Sequence, residues 1–169
     1  TVGIAPAESY RAGFYRIYSS MALRDSLQDG ESYFIVEIRS LKRVLDAADD
    51  TSSVPVLCCV DEVLRGTNTI ERISASAEIL RTLAQKPIQV FAATHDMELT
   101  GLLDAYYTNY HFSETIDGDD VKFSYCLLDG PADSRNAIRL LRALGYDKGI
   151  ADSAEERAKR FQETGVWTL

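Results

Sequence analysis

The stretch that decides the fold reads Val54-Pro-Val-Leu-Cys-Cys-Val-Asp-Glu-Val-Leu-Arg-Gly-Thr-Asn-Thr69. Its first part, residues 54–60, is almost entirely apolar and has the length of a strand. This predicts a strand covered on both faces in a parallel α/β sheet. The run ends in two adjacent acids, Asp61 and Glu62, and a compact turn follows them. Strand ends often carry acids simply because the chain meets solvent there, so the pair alone is weak evidence of a functional site.

A helix and a second strand are predicted after this turn. Apolar residues at helical spacing between Ile70 and Leu83 form one stripe, and Thr69 is in position to cap the helix. A second apolar run, residues 88–93, ends shortly before His95. Strand, helix and strand of these lengths predict a βαβ unit, in which the acid pair and the histidine lie at one edge of a parallel sheet.

Helical periodicity and turn residues predict the remaining elements. Helices are expected over 38–48, 99–107, 134–144 and, opened by a Ser-Ala-Glu-Glu capping box, 153–163, with a hairpin at 110–127 around Asp117-Gly118. No internal repeat, low-complexity segment or interdomain linker is evident in the sequence, so we expect a single domain.

Composition argues against several classes of function. The 169 residues are 46% hydrophobic and 26% charged, as in a globular domain of ordinary size. No apolar run is long enough for a membrane-spanning helix. The net charge of −8 disfavours direct DNA binding by this chain, because domains that grip phosphate backbones usually present a basic surface.

The three cysteines match no metal-binding spacing. Cys58 and Cys59 are neighbours in the apolar run, and Cys126 belongs to another strand-like segment. We therefore expect buried, reduced thiols in a cytoplasmic protein.

Each other candidate residue has a purely structural explanation when it is taken alone. A histidine at a strand end, such as His95, is usually partly buried and hydrogen-bonded. Ser32 in Gly30-Glu-Ser-Tyr-Phe34 suits a loop serine or a helix cap. The segment 65–69 suits a turn before a helix, with Gly66 giving backbone freedom.

Three sequence blocks in a fixed order favour a functional explanation over these structural ones. They are Gly30-Glu-Ser-Tyr-Phe-Ile-Val-Glu37, then Val60-Asp-Glu-Val-Leu-Arg-Gly-Thr-Asn-Thr69, then Phe91-Ala-Ala-Thr-His-Asp-Met-Glu-Leu99. Together they resemble the ATPase domain (domain V) of the MutS family of DNA mismatch repair proteins, which belongs to the wider group of ABC-type ATPases. The resemblance covers most of the chain, and the combination is highly specific although either of the last two blocks alone is a moderate signal.

The resemblance implies a three-layer, P-loop NTPase-like α/β fold of the ABC type, with a mostly parallel sheet, a β-hairpin and a C-terminal helical region. It implies one partial domain, with an α/β core over 1–130 and a helical dimerisation region over 131–169. The phosphate-binding loop Gly-x-x-x-x-Gly-Lys-Ser/Thr does not occur in the sequence. We therefore expect the sequence to begin after the Walker A loop, with the first strand, loop and helix missing, and to supply at most half of an ATP site.

The resemblance also implies roles for individual residues. Asp61 matches the Walker B acid that holds Mg²⁺, usually through water, and Glu62 matches the acid that polarises the attacking water. His95 matches the switch histidine near the γ-phosphate of ATP. Ser32 matches the signature serine that reaches across a dimer to the nucleotide of the other subunit.

The segment after Walker B matches a loop that lies at the family's dimer interface and consists here of Arg65, Gly66, Thr67, Asn68 and Thr69. Two positions nearby depart from the family pattern. Tyr33 stands where the signature usually has threonine, and Leu64 stands where a glycine usually precedes the arginine. These departures indicate a divergent branch, and they bear on the biological role more than on the chemistry.

Two functions of different classes remain open. In the first, the parent protein is a homodimeric ATPase that uses ATP and Mg²⁺ to control the binding of mismatched or branched DNA by its other domains. In the second, the chain is a non-catalytic dimerisation or interaction module of a MutS-related protein outside mismatch repair. A DNA-binding domain in its own right is least favoured, because the chain is acidic. The isolated chain is expected to be inactive and to bind ATP and Mg²⁺ weakly or not at all.

Overall fold

The computed structural model describes residues 7–21, 33–50, 54–117, 120–132 and 136–168. The chain divides into two compact units, Thr1–Tyr107 and Thr108–Leu169. This division falls inside the segment 1–130 that the sequence assigns to the α/β core. Ser32, for which the resemblance predicts the signature role, lies outside the described residues.

The first unit is an α/β structure built on a parallel sheet. In chain order its described elements are β1 (Arg16–Ser20), α1 (Tyr33–Ala48), β2 (Val56–Asp61), α2 (Thr69–Ala84), β3 (Gln89–Ala93) and α3 (Met97–Leu102). Strand β2 lies between β1 and β3 and pairs in parallel with both. The predicted α/β class and the predicted β2–α2–β3 unit are therefore confirmed, whereas β1 was not predicted.

The core of this unit lies on one face of the sheet. Helices α1 and α2 pack against the buried positions of β2 and against the turn that follows it. The buried cluster consists of Leu41, Val44, Cys58, Val60, Val63, Leu64, Leu80, Leu83, Leu99 and Leu103. Because it draws on three helices, a strand and a turn, the cluster ties the end of β2 to α1, α2 and α3.

The opposite face of the sheet differs from the prediction. Burial alternates along β2, where Leu57 and Cys59 are only half-buried. Their neighbours across the sheet, Ile17 and Phe91, are each 62% exposed. The expectation that both faces are covered is wrong for these residues, because a continuous apolar run does not by itself show that a second layer is packed on it.

The helix boundaries show which local signals were misread. Helix α1 begins at Tyr33, so the apolar segment 33–36 is its first turn. Asn68, and not Thr69, caps α2, since the Glu71 N–H donates to Asn68 Oδ1 at 3.0 Å. Helix α3 ends at Leu102, earlier than the predicted 99–107 segment.

The second unit joins small antiparallel ladders to two helices. Its described elements are β4 (Tyr110–His111), β5 (Glu114–Asp117), β6 (Asp120–Phe123), β7 (Leu128–Asp129), α4 (Ala137–Ala143) and α5 (Lys148–Thr164). Strands β5 and β6 pair antiparallel, and β4 pairs antiparallel with β7. The predicted hairpin is confirmed with shorter strands, and α4 ends just before Gly145, whose φ of 78° suits a glycine. Within the described residues of the whole chain, no helix is both long and apolar enough to cross a membrane.

The predicted capping box of the last helix is wrong. Helix α5 begins at Lys148, because Asp147 accepts a hydrogen bond from the Gly149 N–H at 2.8 Å. The Ser-Ala-Glu-Glu motif at 153–156 therefore lies inside the helix, more than one turn beyond its start.

The cysteine prediction holds for one residue and fails for another. Cys58 is fully buried, and burial raises the pKa of its thiol to about 11. Cys59 is half-buried, whereas Cys126 is exposed between β6 and β7. All three thiols are free, as expected.

Candidate active site

The sheet brings three of the predicted site residues to one edge. Asp61 ends β2 and is paired in register with Ala93, which ends β3. The N–H of Glu62 donates to the Ala93 carbonyl at 2.9 Å, so the pairing of the strands continues one residue further. His95 follows two residues after Ala93. The carboxyl ends of parallel strands are the edge at which open α/β sheets bind ligands.

The carboxylate of Glu62 lies between two cationic or proton-donating groups. Its Oε2 is 2.5 Å from Nε of Arg65, and its Oε1 is 3.1 Å from Nε2 of His95. The Glu62 side chain is only 18% exposed, whereas that of His95 is 94% exposed. The contact with His95 is therefore strongly screened by solvent and easily broken.

Asp61 presents a carboxylate that suits a magnesium ion. It is exposed and lies on the open face of the sheet, opposite the buried Val60. In the described part of the chain, no group of three or more His, Cys, Asp or Glu residues could hold a metal ion. Mg²⁺ is usually bound through one or two carboxylates together with phosphate oxygens of the substrate, so a single exposed carboxylate at this edge fits the ion.

The turn after β2 has an unusual backbone. Glu62 and Leu64 both have positive φ, at 51° and 60°. This conformation costs an L-residue roughly 1–2 kcal/mol. The side chains of Val63 and Leu64 are nonetheless buried in the core, and burying a leucine contributes about 1.5–3 kcal/mol. Leu64 occupies the position where the family resemblance predicts glycine, and its φ is one that glycine adopts without strain.

Both helices contribute a buried polar side chain to this turn. Oε1 of Glu37 in α1 accepts a hydrogen bond from the Leu64 N–H at 2.5 Å. Oγ of Ser76 in α2 donates to the Val63 carbonyl at 3.2 Å. Both residues are buried. The backbone between Glu62 and Arg65 is therefore held from two sides by the helices.

The loop that carries His95 is anchored separately. Arg72 in α2 makes a two-pronged ion pair with Asp96, with Nε to Oδ2 at 2.8 Å and a terminal nitrogen to Oδ1 at 2.6 Å. The Asp96 N–H also donates to Oγ1 of Thr94 at 3.0 Å. Paired hydrogen bonds of this kind fix orientation as well as distance, so the backbone on both sides of His95 is held.

The segment 65–69 packs against α1 and forms the start of α2 within this unit. A Cβ on Gly66 would lie 3.0 Å from Cβ and Cδ2 of Phe34, so only glycine fits against α1 without displacement. Oγ1 of Thr67 donates to Glu71 Oε2 at 2.8 Å, and Asn68 caps α2. Thr69 is the first residue of that helix. The predicted place of this segment at a dimer interface stays a prediction.

Comparison with known protein families assigns the chain to one family. A family model described as MutS domain V matches residues 2–162. The chain belongs to the MutS domain V family. The resemblance inferred from the three sequence blocks is thereby confirmed, and this domain is the ATPase domain of MutS-related mismatch repair proteins.

Several supporting residues of this MutS domain V chain were missed in the sequence: they are Glu37, Arg72, Ser76 and Asp96. A signal for one of them was present. Glu37 precedes Leu41 by four residues and Val44 by seven, and therefore lies on the apolar stripe of α1. An acid at such a position has to be buried, which is unusual unless it has a partner. Ser76 likewise precedes Leu80 by four residues and Leu83 by seven, but a buried serine is a weaker signal than a buried acid. Arg72 and Asp96 have no comparable signal, because the sequence does not show that they pair across 24 residues.

Burial also changes the titration of Glu37. Desolvation raises the pKa of this carboxyl above its usual 4.5, although the N–H groups of Leu64 and Arg65 and the charge of Arg65 act in the opposite direction. The neighbouring Glu62 adds to the increase.

We predict that glycine at position 64 gives a more stable chain than alanine. Both substitutions remove the buried side chain, which costs about 2–5 kcal/mol, but only alanine keeps the strain of the positive φ. Glycine should therefore be better by about 1 kcal/mol. At Leu80, which is equally buried inside α2, alanine should instead be better by about 1 kcal/mol. Urea unfolding of the four variants measures both differences, and the same order at both positions would contradict the assigned backbone of the turn.

We predict that Gly66→Ala lowers the free energy of unfolding by about 1–3 kcal/mol, because the new Cβ overlaps Phe34. In a Phe34→Ala background, which removes the ring but keeps Cβ, the loss should be smaller. Gly101→Ala is the matched control, since the added Cβ would meet no heavy atom within 4 Å apart from its chain neighbours and its own helix backbone. Thermal unfolding of these variants checks the prediction. Equal effects at positions 66 and 101 would show that the close approach to α1 is absent.

We predict that Glu37→Gln gains stability relative to wild type as pH rises. Because the folded-state pKa of Glu37 lies above 4.5, the folded protein keeps this proton where the unfolded chain has released it. Raising the pH through that window therefore lowers the free energy of unfolding of the wild type but not of the glutamine variant. Urea titrations at several pH values measure the difference. Glu78→Gln, at an exposed position whose pKa is lowered by Arg81, should not show this rise.

Proposed function

We propose that this chain supplies the water-activating half of an ATP-hydrolysing site in a MutS-related protein. The observation that carries the proposal is the meeting of Asp61, Glu62 and His95 at the carboxyl edge of a parallel sheet. Membership of the MutS domain V family supports it, because that domain is an ATPase. The substrate would be ATP, attacked by water at the γ-phosphate.

In this proposal Glu62 orients the attacking water. Each of its oxygens contacts a nitrogen, with Oε2 2.5 Å from Nε of Arg65, whose side chain is 60% exposed, and Oε1 3.1 Å from Nε2 of His95, whose side chain is 94% exposed. The contact of Oε1 with the exposed His95 is the weaker one. Oε1 is therefore the atom that becomes available to a water when His95 turns towards the γ-phosphate, where it stabilises negative charge.

Asp61 is the residue that would hold Mg²⁺ beside this carboxylate. When bound, the ion neutralises charge on the phosphates of the nucleotide. The position of Asp61 on the open face of the sheet, away from the buried core, leaves its carboxylate accessible from solvent.

The proposal also covers dimer formation and DNA binding. The segment 65–69 and Ser32 would face the other subunit of a homodimer, with Ser32 reaching the nucleotide bound there. Mismatched or branched DNA would be held by other domains of the full-length protein. The net charge of −8 supports this division, because a surface that grips DNA is usually basic.

We expect Glu62→Gln in the full-length protein to lower kcat for ATP hydrolysis by about 10²–10⁴-fold, the usual contribution of a general base. Nucleotide binding should stay within a few-fold, since the amide keeps the size of the carboxylate. Glu78→Gln, on the exposed surface of α2, is the control and should keep the wild-type rate. Steady-state hydrolysis and calorimetric binding of Mg-ATP measure the two effects. An unchanged rate in Glu62→Gln would overturn the assignment.

A further inference from the structure

Glu37 is a buried acid that holds the turn after β2 and has no part in the reaction described so far. It is 2% exposed, and it faces the core from the first turns of α1. Its Oε2 is buried and has no hydrogen-bond partner among the described residues. A carboxyl group in this environment is unfavourable unless it does something that an apolar side chain does not.

The hydrogen bond that Oε1 of this carboxyl accepts leads directly to the candidate site. Its Oε1 accepts the Leu64 N–H at 2.5 Å, and Leu64 is one of the two residues with positive φ in the turn. Glu62 lies two residues before that N–H, and Arg65, which contacts Glu62, lies one residue after it. Fixing the Leu64 N–H therefore fixes the backbone between the two ends of the Glu62–Arg65 pair.

We propose that Glu37 is a positioning residue for ATP hydrolysis, acting through the Leu64 N–H to hold Glu62 and Arg65 in place. It touches neither Glu62 nor the substrate, so its effect belongs to geometry and not to proton transfer. The inference rests on the proposed function, because the orientation of Glu62 matters for the rate only if Glu62 acts on a water. An error of about 1 Å in such an orientation lowers a rate by about 10²-fold.

Two replacements of Glu37 separate its role as a hydrogen-bond acceptor from its role in filling the core. Glutamine keeps an oxygen that accepts the Leu64 N–H, and its amide nitrogen takes the place of Oε2, which has no partner to lose among the described residues. Methionine fills a similar volume but offers no comparable acceptor. Ser40→Ala is the matched control, because Ser40 is a buried polar residue of the same helix whose Oγ donates to the Ser19 carbonyl, away from the turn.

The test is made in the full-length protein. Glu37→Met should lower kcat by about 10²-fold while the affinity for Mg-ATP changes less than about 3-fold, and the Leu64 amide should exchange with solvent faster than in wild type. Glu37→Gln should restore kcat to within a few-fold of wild type and slow the exchange again. Ser40→Ala should leave both kcat and the Leu64 exchange rate near wild type.

The possible failures are distinguishable. Wild-type protein without ATP hydrolysis, or full hydrolysis in Glu62→Gln, would overturn the proposed function and this inference together. Hydrolysis lost in Glu62→Gln but kept in Glu37→Met would overturn the inference alone. A loss of kcat in Glu37→Met that is matched by Glu37→Gln or by Ser40→Ala would also overturn it, since the acceptor for the Leu64 N–H would then be irrelevant.

Discussion

The turn between Glu62 and Arg65 has to do two things that oppose each other. It must bury Val63 and Leu64 in the core, and it must leave the Glu62 carboxylate at the edge of the sheet. A regular β-strand would send the neighbouring side chains of Val63 and Leu64 to opposite faces, whereas a turn with positive φ at Glu62 and Leu64 buries both. The strain is held because the apolar side chains and the hydrogen bonds from both helices favour this one arrangement.

This constraint explains why a leucine is tolerated where glycine is usual. A glycine would relieve the backbone strain but would leave a gap among α1, α2 and β2, where the Leu64 side chain now packs. Leucine keeps the core filled and accepts strain of roughly 1–2 kcal/mol. The two solutions place the chain in the same conformation by different means, so the departure at this position does not by itself argue against the family's chemistry.

The sequence predicted the elements with strong local signals and missed those that depend on distant partners. The β2–α2–β3 unit follows from one apolar run, one amphipathic stripe and a second apolar run. Strand β1 is short and only partly apolar, and its identity comes from pairing with β2 about forty residues later. The start of α5 was misplaced because Asp147 offers a cap that competes with the later capping box.

The residues of the candidate site also divide into those with a local sequence signal and those that depend on distant partners. Asp61, Glu62 and His95 could be found because they follow apolar runs in an order typical of one family. Arg72 and Ser76 could not, because nothing in an amphipathic helix shows which polar side chain meets a loop across the structure. The predicted roles of Asp61, Glu62 and His95 come from chemistry and family membership. Their positions depend on supporting residues such as Arg72 and Ser76.

The two contacts of Glu62 are coupled to different parts of the structure. Arg65 belongs to the same turn, so the Glu62–Arg65 distance is set locally and moves with the turn. His95 belongs to the loop after β3, which the Arg72–Asp96 pair ties to α2. A ligand that draws the exposed His95 side chain away thus changes the surroundings of one carboxylate oxygen, while the other oxygen and the buried turn stay as they are. In the proposed mechanism Glu62 therefore responds to the nucleotide at one oxygen without a change in the core, because its contacts with Arg65 and His95 lie on separate oxygens.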